Sequence, residues 1–225
     1  MNAFAKLRDH MVDDQIVRRG ISDERVLQAM RTVPRERFVR AGCEALAYRD
    51  LALAIEENQS ISQPYIVAVM IEAAGIAPGD RVLEVGAGSG YAAAVLGQIA
   101  GRVIAIERHE TLAALAAARM AALGYDNVEI RVGDGTEGLP QEAPFAAILV
   151  AAGGPAVPPA LREQLAVGGH LVMPVGERDD QTLCKISRIG TDRFEDETLG
   201  AVMFVPLIGA QGWHEDGTRA TRPLS

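Results

Sequence analysis

The sequence predicts an α/β fold: a doubly wound, mostly parallel sheet with an antiparallel strand addition near its C-terminus and a helical segment at its N-terminus. Three observations carry this expectation. From Pro64 onward, short β-branched runs alternate with helix-length stretches rich in Ala and Leu. One run, Val82-Leu83-Glu84-Val85, leads straight into alternate glycines, Gly86-Ala87-Gly88-Ser89-Gly90, and then into Tyr91 and an alanine-rich helix former. After Gly176 the alternation stops and two strand-like runs follow one another around a polar stretch.

The elements follow in order. Residues 4–19 read as a helix with Phe4, Leu7 and Met11 on one face, closed by Gly20. Ser22 is placed to cap a second helix whose apolar Val26, Leu27 and Met30 recur at helical spacing before Pro34 stops it. The stretch from Pro34 to Glu57 is loop-rich. Ser62 is placed to cap a helix over 64–74, with Pro64 in its first turn. Strand 81–86, helix 90–99, strand 102–107, helix 109–123 and strand 127–132 come next. Strand 145–151, helix 158–165 and strand 169–175 complete the parallel part. Thr182–Ile189 and Gly200–Leu207 are the strand-like additions, which mixed sheets tolerate at an edge. One domain is expected, with 1–63 as the N-terminal helical segment and loop, 64–176 as the core and 177–225 as the strand addition and tail.

Composition bounds the function. The chain has 225 residues, 48% of them hydrophobic, enough for a substantial core. Its net charge of -8 argues against a protein that lives on phosphate backbones. Cys43 and Cys184 stand far apart with no C-x-x-C pattern, which suits a reducing compartment. No targeting segment is visible, and the apolar stretches are interrupted before they could span a bilayer. A cytoplasmic monomer without nucleic-acid or membrane partners is the expectation.

The chemistry gathers at the strand ends. Ligands of doubly wound sheets bind beyond the carboxyl ends of the strands, where strand order reverses. Glycines there allow backbone amides to approach a ligand, and positive φ costs them little. With Tyr91 where a dinucleotide fingerprint has its third glycine, the turn points to S-adenosylmethionine rather than a nicotinamide. Glu84, Gly86, Ala87, Gly88 and Gly90 would form that site. Glu107, about 20 positions beyond the turn, is placed to accept hydrogen bonds from ribose hydroxyls. Gly133-Asp134-Gly135 follows the third strand, where Asp134 could take hydrogen bonds from an adenine amino group or from nearby backbone amides. The run Gln59-Ser60-Ile61-Ser62-Gln63-Pro64-Tyr65 precedes a helix and offers hydroxyls and free amides suited to a carboxylate. On local residues alone, plain capping and anion binding stand equal there.

Taken together, these motifs resemble the protein-L-isoaspartate (D-aspartate) O-methyltransferase family over nearly the whole chain. Val33-Pro34-Arg35-Glu36-Arg37-Phe38-Val39 is similar to part of that family's opening segment, and Gln59 to Tyr65 to its substrate loop, usually G-Q-T-I-S-Q-P-Y. Val82 to Tyr91, Ile106-Glu107-Arg108 and Gly133-Asp134-Gly135 resemble its cofactor motifs. The resemblance implies a Rossmann-like methyltransferase fold. It also implies methyl transfer from S-adenosylmethionine to the free carboxylate of L-isoaspartyl residues in damaged proteins and peptides, the start of their repair. It places Ser62 in the active site and Ser60 where threonine is usual. The chemistry agrees with what the chain lacks. A carboxylate with a pKa near 4 is already nucleophilic at neutral pH and needs orientation, not a base. The four histidines are scattered, and no metal site is expected.

Three departures from the family pattern stand out: Glu56-Glu57-Asn58 replaces a G-x-G, Ala146 replaces an aspartate and Ala151 a threonine. A nucleic-acid adenine methyltransferase would carry an N-P-P-Y-like motif where this chain has Ala151-Ala152-Gly153-Gly154. A small-molecule O-methyltransferase on the same scaffold is the rival activity. A cofactor-binding homologue with impaired transfer is the other alternative.

Overall fold

The computed structural model describes residues 3–220, so the end of the tail assigned to 177–225 lies outside the described residues. Its centre is a seven-stranded sheet of β3 (Arg81–Val85), β4 (Arg102–Glu107), β5 (Val128–Val132), β6 (Phe145–Val150), β7 (Leu165–Glu177), β8 (Asp180–Gly190) and β9 (Arg193–Val202), in the order β5-β4-β3-β6-β7-β8-β9. Strands β5, β4, β3, β6 and β7 pair in parallel, while β8 and β9 add antiparallel pairings at the far edge. The chain steps outward from β3 to β5 and then returns to β6 on the other side of β3. That reversal opens a crevice beyond β3 and β6.

The central strands read as unbroken apolar runs because both faces are covered. Val82 and Val103 pack beneath α2 (Glu24–Thr32), α3 (Pro64–Ala74), α4 (Tyr91–Gly97) and α5 (Glu110–Leu123). Leu83, Val85, Ile104 and Ile106 face the other layer, where Leu161 of the short α6 (Pro159–Glu163) and Leu207 cover them. The layers are unequal, with nearly all the helix on one face. No helix among the described residues is long and apolar enough to cross a membrane.

Several elements differ from expectation for identifiable reasons. The N-terminal helix is α-helical only over α1 (Ala3–Met11). It then widens to a π-turn at Val12–Ile16 and tightens at Val17–Arg19 before Gly20 closes it at φ 99°. The inserted register lets adjacent Met11 and Val12 both bury completely. Asp23, not Ser22, caps α2 by accepting from the Arg25 amide at 2.8 Å, while the Ser22 and Asp23 amides both donate to Glu72 on α3. Residues 165–168, divided between a helix and a gap by their sequence, belong to β7, where Gly168 at φ +85° allows an irregular start. The second C-terminal strand runs over Arg193–Val202 rather than 200–207. Its charged sequence reads as a turn, but those charges suit an exposed edge strand. Beyond it, Pro206 cannot donate to a ladder. Residues 205–207 instead cross the strand ends, with Gly153 donating to Val205 and Leu207 to Gly153, each at 2.8 Å.

Candidate active site at the sheet switch point

The glycine turn after β3 is left-handed at all three glycines, with φ +87° at Gly86, +53° at Gly88 and +86° at Gly90. An L-residue is strained in each of these conformations. The turn hangs from β4 through the amides of Gly86 and Ala87, which donate to the Ile106 carbonyl at 2.8 and 3.1 Å. Tyr91, the residue that departs from the dinucleotide pattern, is fully buried and edge-on to Phe38 at 5.6 Å. It fastens the turn to the N-terminal segment.

Glu107 ends β4 with its carboxylate between two amides, Gly88 at 2.8 Å and His109 at 3.0 Å. Each oxygen keeps a further lone pair, and the residue lines a cleft with Gly86, Gly88, Gly133, Gly135 and Ala151. Gly135 closes that wall: a Cβ there would stand 2.3 Å from Val85, so no side chain fits. Asp134 accepts hydrogen bonds from within the protein. One carboxylate oxygen accepts from the Thr136 amide and hydroxyl, the other from the Ala210 amide. Its carboxylate is engaged within the protein and pins the 209–210 loop beside the cleft.

A smaller recess shares Gly86, Gly88 and Ala151 with this cleft and is bounded by Val67 of α3 and Ala92 of α4, and Glu84 forms part of its wall. Glu84 is 1% exposed, and one of its oxygens has no partner. Burial, reinforced by the neighbouring Glu107 charge, pushes its pKa well above the ordinary carboxylate value. A buried acid of this kind calls for a cation beside it.

Facing the glycine turn is a small hairpin of β1 (Leu53–Ala54) and β2 (Ser60–Ile61), paired antiparallel. Ile55 reaches the glycine turn, since a Cβ on Gly88 would sit 3.5 Å from its Cδ1. Ser60 lines the cleft, the recess and a third groove bounded by Ala52, Ile66 and residues 201–205. Ser62 lines the last two. Ser62 does not cap α3: the cap position is Gln63, with no side-chain hydrogen bond. Among the described residues neither serine hydroxyl has a hydrogen-bond partner, so both remain available to a ligand. Ala151, also common to all three spaces, keeps their junction open.

The departures at 56–58 fall in the hairpin turn, where Glu57 and Asn58 both hold φ 55°. Asn tolerates this region and Glu does so poorly. The Glu57 carboxylate lies 3.9 Å from His109 Nδ1, and Arg40 lies 3.8 Å from Glu56. Ala146 sits at the opposite end of β6 from the crevice and does not touch it. Sequence reasoning missed His109 in the cleft wall and Arg35 behind the loop. Nothing local marks Arg35, which stands beside Glu36 and Arg37 in a charged stretch. A separate cavity beside α6 holds none of the predicted site residues.

The donor set fits S-adenosylmethionine: a carboxylate for a ribose, glycines where the backbone must come close, and an uncompensated buried acid for a ligand bearing positive charge. Comparison with known proteins agrees. A solved protein-L-isoaspartate O-methyltransferase superposes with a TM-score of 0.83 at 27% identity, over 91% of this chain and 67% of that one. Another solved structure is described as a putative protein-L-isoaspartate O-methyltransferase from Plasmodium falciparum, in complex with S-adenosyl-L-homocysteine. It matches at 0.77 and 25% identity, over 89% of this chain and 98% of that one. Among relatives, the protein-L-isoaspartate O-methyltransferase of Roseiflexus castenholzii is 58% identical over 93% of this chain and 95% of its own. That of Rhodopseudomonas palustris is 54% identical, over 91% and 94%. With the sequence profile of the family matching residues 6–212, the chain belongs to the protein-L-isoaspartate(D-aspartate) O-methyltransferase family.

Proposed function

We propose that this enzyme is an S-adenosylmethionine-dependent protein-L-isoaspartate O-methyltransferase in which Ser60 and Ser62 hold the substrate carboxylate at the inner end of the cofactor crevice. The observation that carries the residue roles is the position of Ser60, whose hydroxyl is unpartnered where cleft, recess and groove meet. When bound, S-adenosylmethionine supplies a methyl group on a sulfonium centre. Glu107 would accept from its ribose while keeping Gly88 in place. Gly86, Ala87, Gly88 and Gly90 would allow its close approach along the backbone. Gly135, with the loop held by Asp134, would bound the adenine end. Glu84 would face its positive charge from the recess.

The groove beside residues 201–205 would take the peptide. Two hydroxyl donors orient the isoaspartyl carboxylate, whose lone pair is already available at neutral pH. Orientation is then the main contribution of the chain, because no proton must be removed before attack. The Ile55 side chain and the hairpin above the turn exclude water from the junction. The methyl ester so formed later loses methanol to its neighbouring backbone nitrogen, and the resulting succinimide reopens partly to ordinary aspartate.

The direct test offers labelled S-adenosylmethionine with paired peptides that differ only in isoaspartate or aspartate. A base-labile methyl ester on the isoaspartyl peptide alone is the expected result. Equal labelling of both, or labelling of hydroxyl compounds instead, would overturn the assignment.

A further inference from the structure

Among the described residues Arg35 is the largest fully buried side chain, and it is charged. Its Nε donates to the Ala47 carbonyl at 2.8 Å and its Nη2 to the Ser62 carbonyl at 2.7 Å. The guanidinium carbon lies 4.6 Å from the centre of the Tyr91 ring. Its Nη1 is buried without a partner. Among the described residues no carboxylate pairs with it. Asp50, an acid whose field reaches it, is already held by Arg19 at 2.7 Å. Burial lowers the Arg35 pKa from its ordinary value, yet an arginine keeps its charge in proteins.

A buried cation with no counter-ion costs stability, and a hydrophobic residue of similar size would pack there more favourably. Two backbone carbonyls and an aromatic face offset only part of that cost. The site it serves is one bond away. Arg35 grips the carbonyl of Ser62; Ser62 lines both the groove and the recess, and Gln63 lines the groove. A carbonyl bonded to a cation also polarises its own peptide unit, making the Gln63 N–H a stronger donor toward an anion.

We infer that Arg35 is a positioning residue that supplies the positive field for the substrate carboxylate: its charge, delivered through the Ser62 carbonyl, makes the loop select an acid over a neutral amide. This inference rests on the function proposed above. It places the counter-ion of the substrate in the N-terminal segment, inside the protein and out of contact with the ligand. Because the charge is buried, its influence on the site escapes the salt screening that weakens exposed charges.

The test compares two peptides that differ at one group: an isoaspartyl peptide and its isoasparaginyl analogue, in which the free carboxylate is a carboxamide. Their dissociation constants are measured by calorimetry in the presence of S-adenosylhomocysteine. Wild type should prefer the carboxylate by about tenfold or more. In Arg35→Gln that ratio should fall to within about threefold of unity, with S-adenosylhomocysteine affinity changed less than about threefold. Arg35→Lys should keep most of the ratio but lower kcat, since one ammonium cannot hold both carbonyls as the fork does. An Arg35→Gln protein that folds and keeps the wild-type ratio would overturn the inference.

If Arg35→Gln does not fold, wild type alone decides. Its ratio should persist between about 0.05 and 0.5 M salt, and collapse toward unity would assign selectivity to exposed charges instead. Wild type that methylates no isoaspartyl peptide would sink the proposed function itself. Wild type that methylates, with an unaltered ratio in Arg35→Gln, would sink this inference alone.

Discussion

The crevice beyond β3, β4 and β6 and the hairpin that faces it would serve the proposed reaction from two sides, but they are built by different means. The crevice is local. Each of its groups sits at the end of a regular strand, and Gly86, Glu107 and Gly135 owe their positions to parallel register and tight turns. The hairpin is remote-controlled. Its two short strands are tied to earlier parts of the chain: Arg35 holds the Ser62 carbonyl, Arg40 the Ile55 carbonyl and Glu56 carboxylate, and the Gln63 side chain reaches back to the Asp50 carbonyl. Cofactor binding is therefore expected to depend on backbone geometry, and substrate handling on long-range polar tethers.

That contrast can be broken by variants that should affect one side only. Glu107→Ala carries the largest expected effect. It frees the Gly88 and His109 amides and removes the ribose acceptor, so S-adenosylhomocysteine affinity should fall by about 100-fold, near 3 kcal/mol, in calorimetry. Ser62→Ala should do the reverse, lowering kcat on isoaspartyl peptide by about tenfold or more while cofactor affinity moves less than about threefold. Ser60→Ala should behave likewise but touch both quantities, since it borders both spaces.

Glu84 sharpens the cofactor side through pH. Its raised pKa keeps it protonated in the ligand-free protein to higher pH than an ordinary carboxylate. Positive charge in the recess favours the ionised form, so cofactor binding should release a proton and tighten as pH rises through the raised value. Glu84→Gln should flatten that rise and weaken binding at the high-pH end by about tenfold. The same shift runs against stability. The ligand-free fold should lose stability as pH climbs from the unfolded pKa toward the folded one, and Glu84→Gln should abolish this loss in urea titrations across pH. The smallest effect belongs to the hairpin turn. Glu57→Asn, which suits φ 55° better, should stabilise the protein by a few tenths of a kcal/mol, about one degree in Tm.

The same contrast explains what could be read from the sequence. Glycines, β-branched runs and the acid at the end of β4 follow local rules, and the crevice lies where those rules put it. Asp134 was ambiguous because a carboxylate between glycines looks alike whether it meets a ligand or the backbone. The return of residues 209–210, which brings the Ala210 amide to that carboxylate, is remote in sequence and leaves no local mark. The family motif identified the hairpin, but its capping reading failed, because Ser62 turns its carbonyl to Arg35 and leaves its hydroxyl free. A grip across 27 positions has no periodic signature. Strand β9 was hidden for another reason: an edge strand carries charge where an inner strand carries valine.

That edge has a consequence for an enzyme whose substrates are other polypeptides. Damaged segments are extended and rich in unpaired amides, and they would add themselves to any bare flank of a sheet. On β9, Arg193, Glu195, Asp196 and Glu197 stand exposed along the rim, and the approaching chain would have to strip water from several ions to dock there. Visiting strands would thereby be turned away from a fruitless berth and kept for the serine-lined groove proposed to receive them.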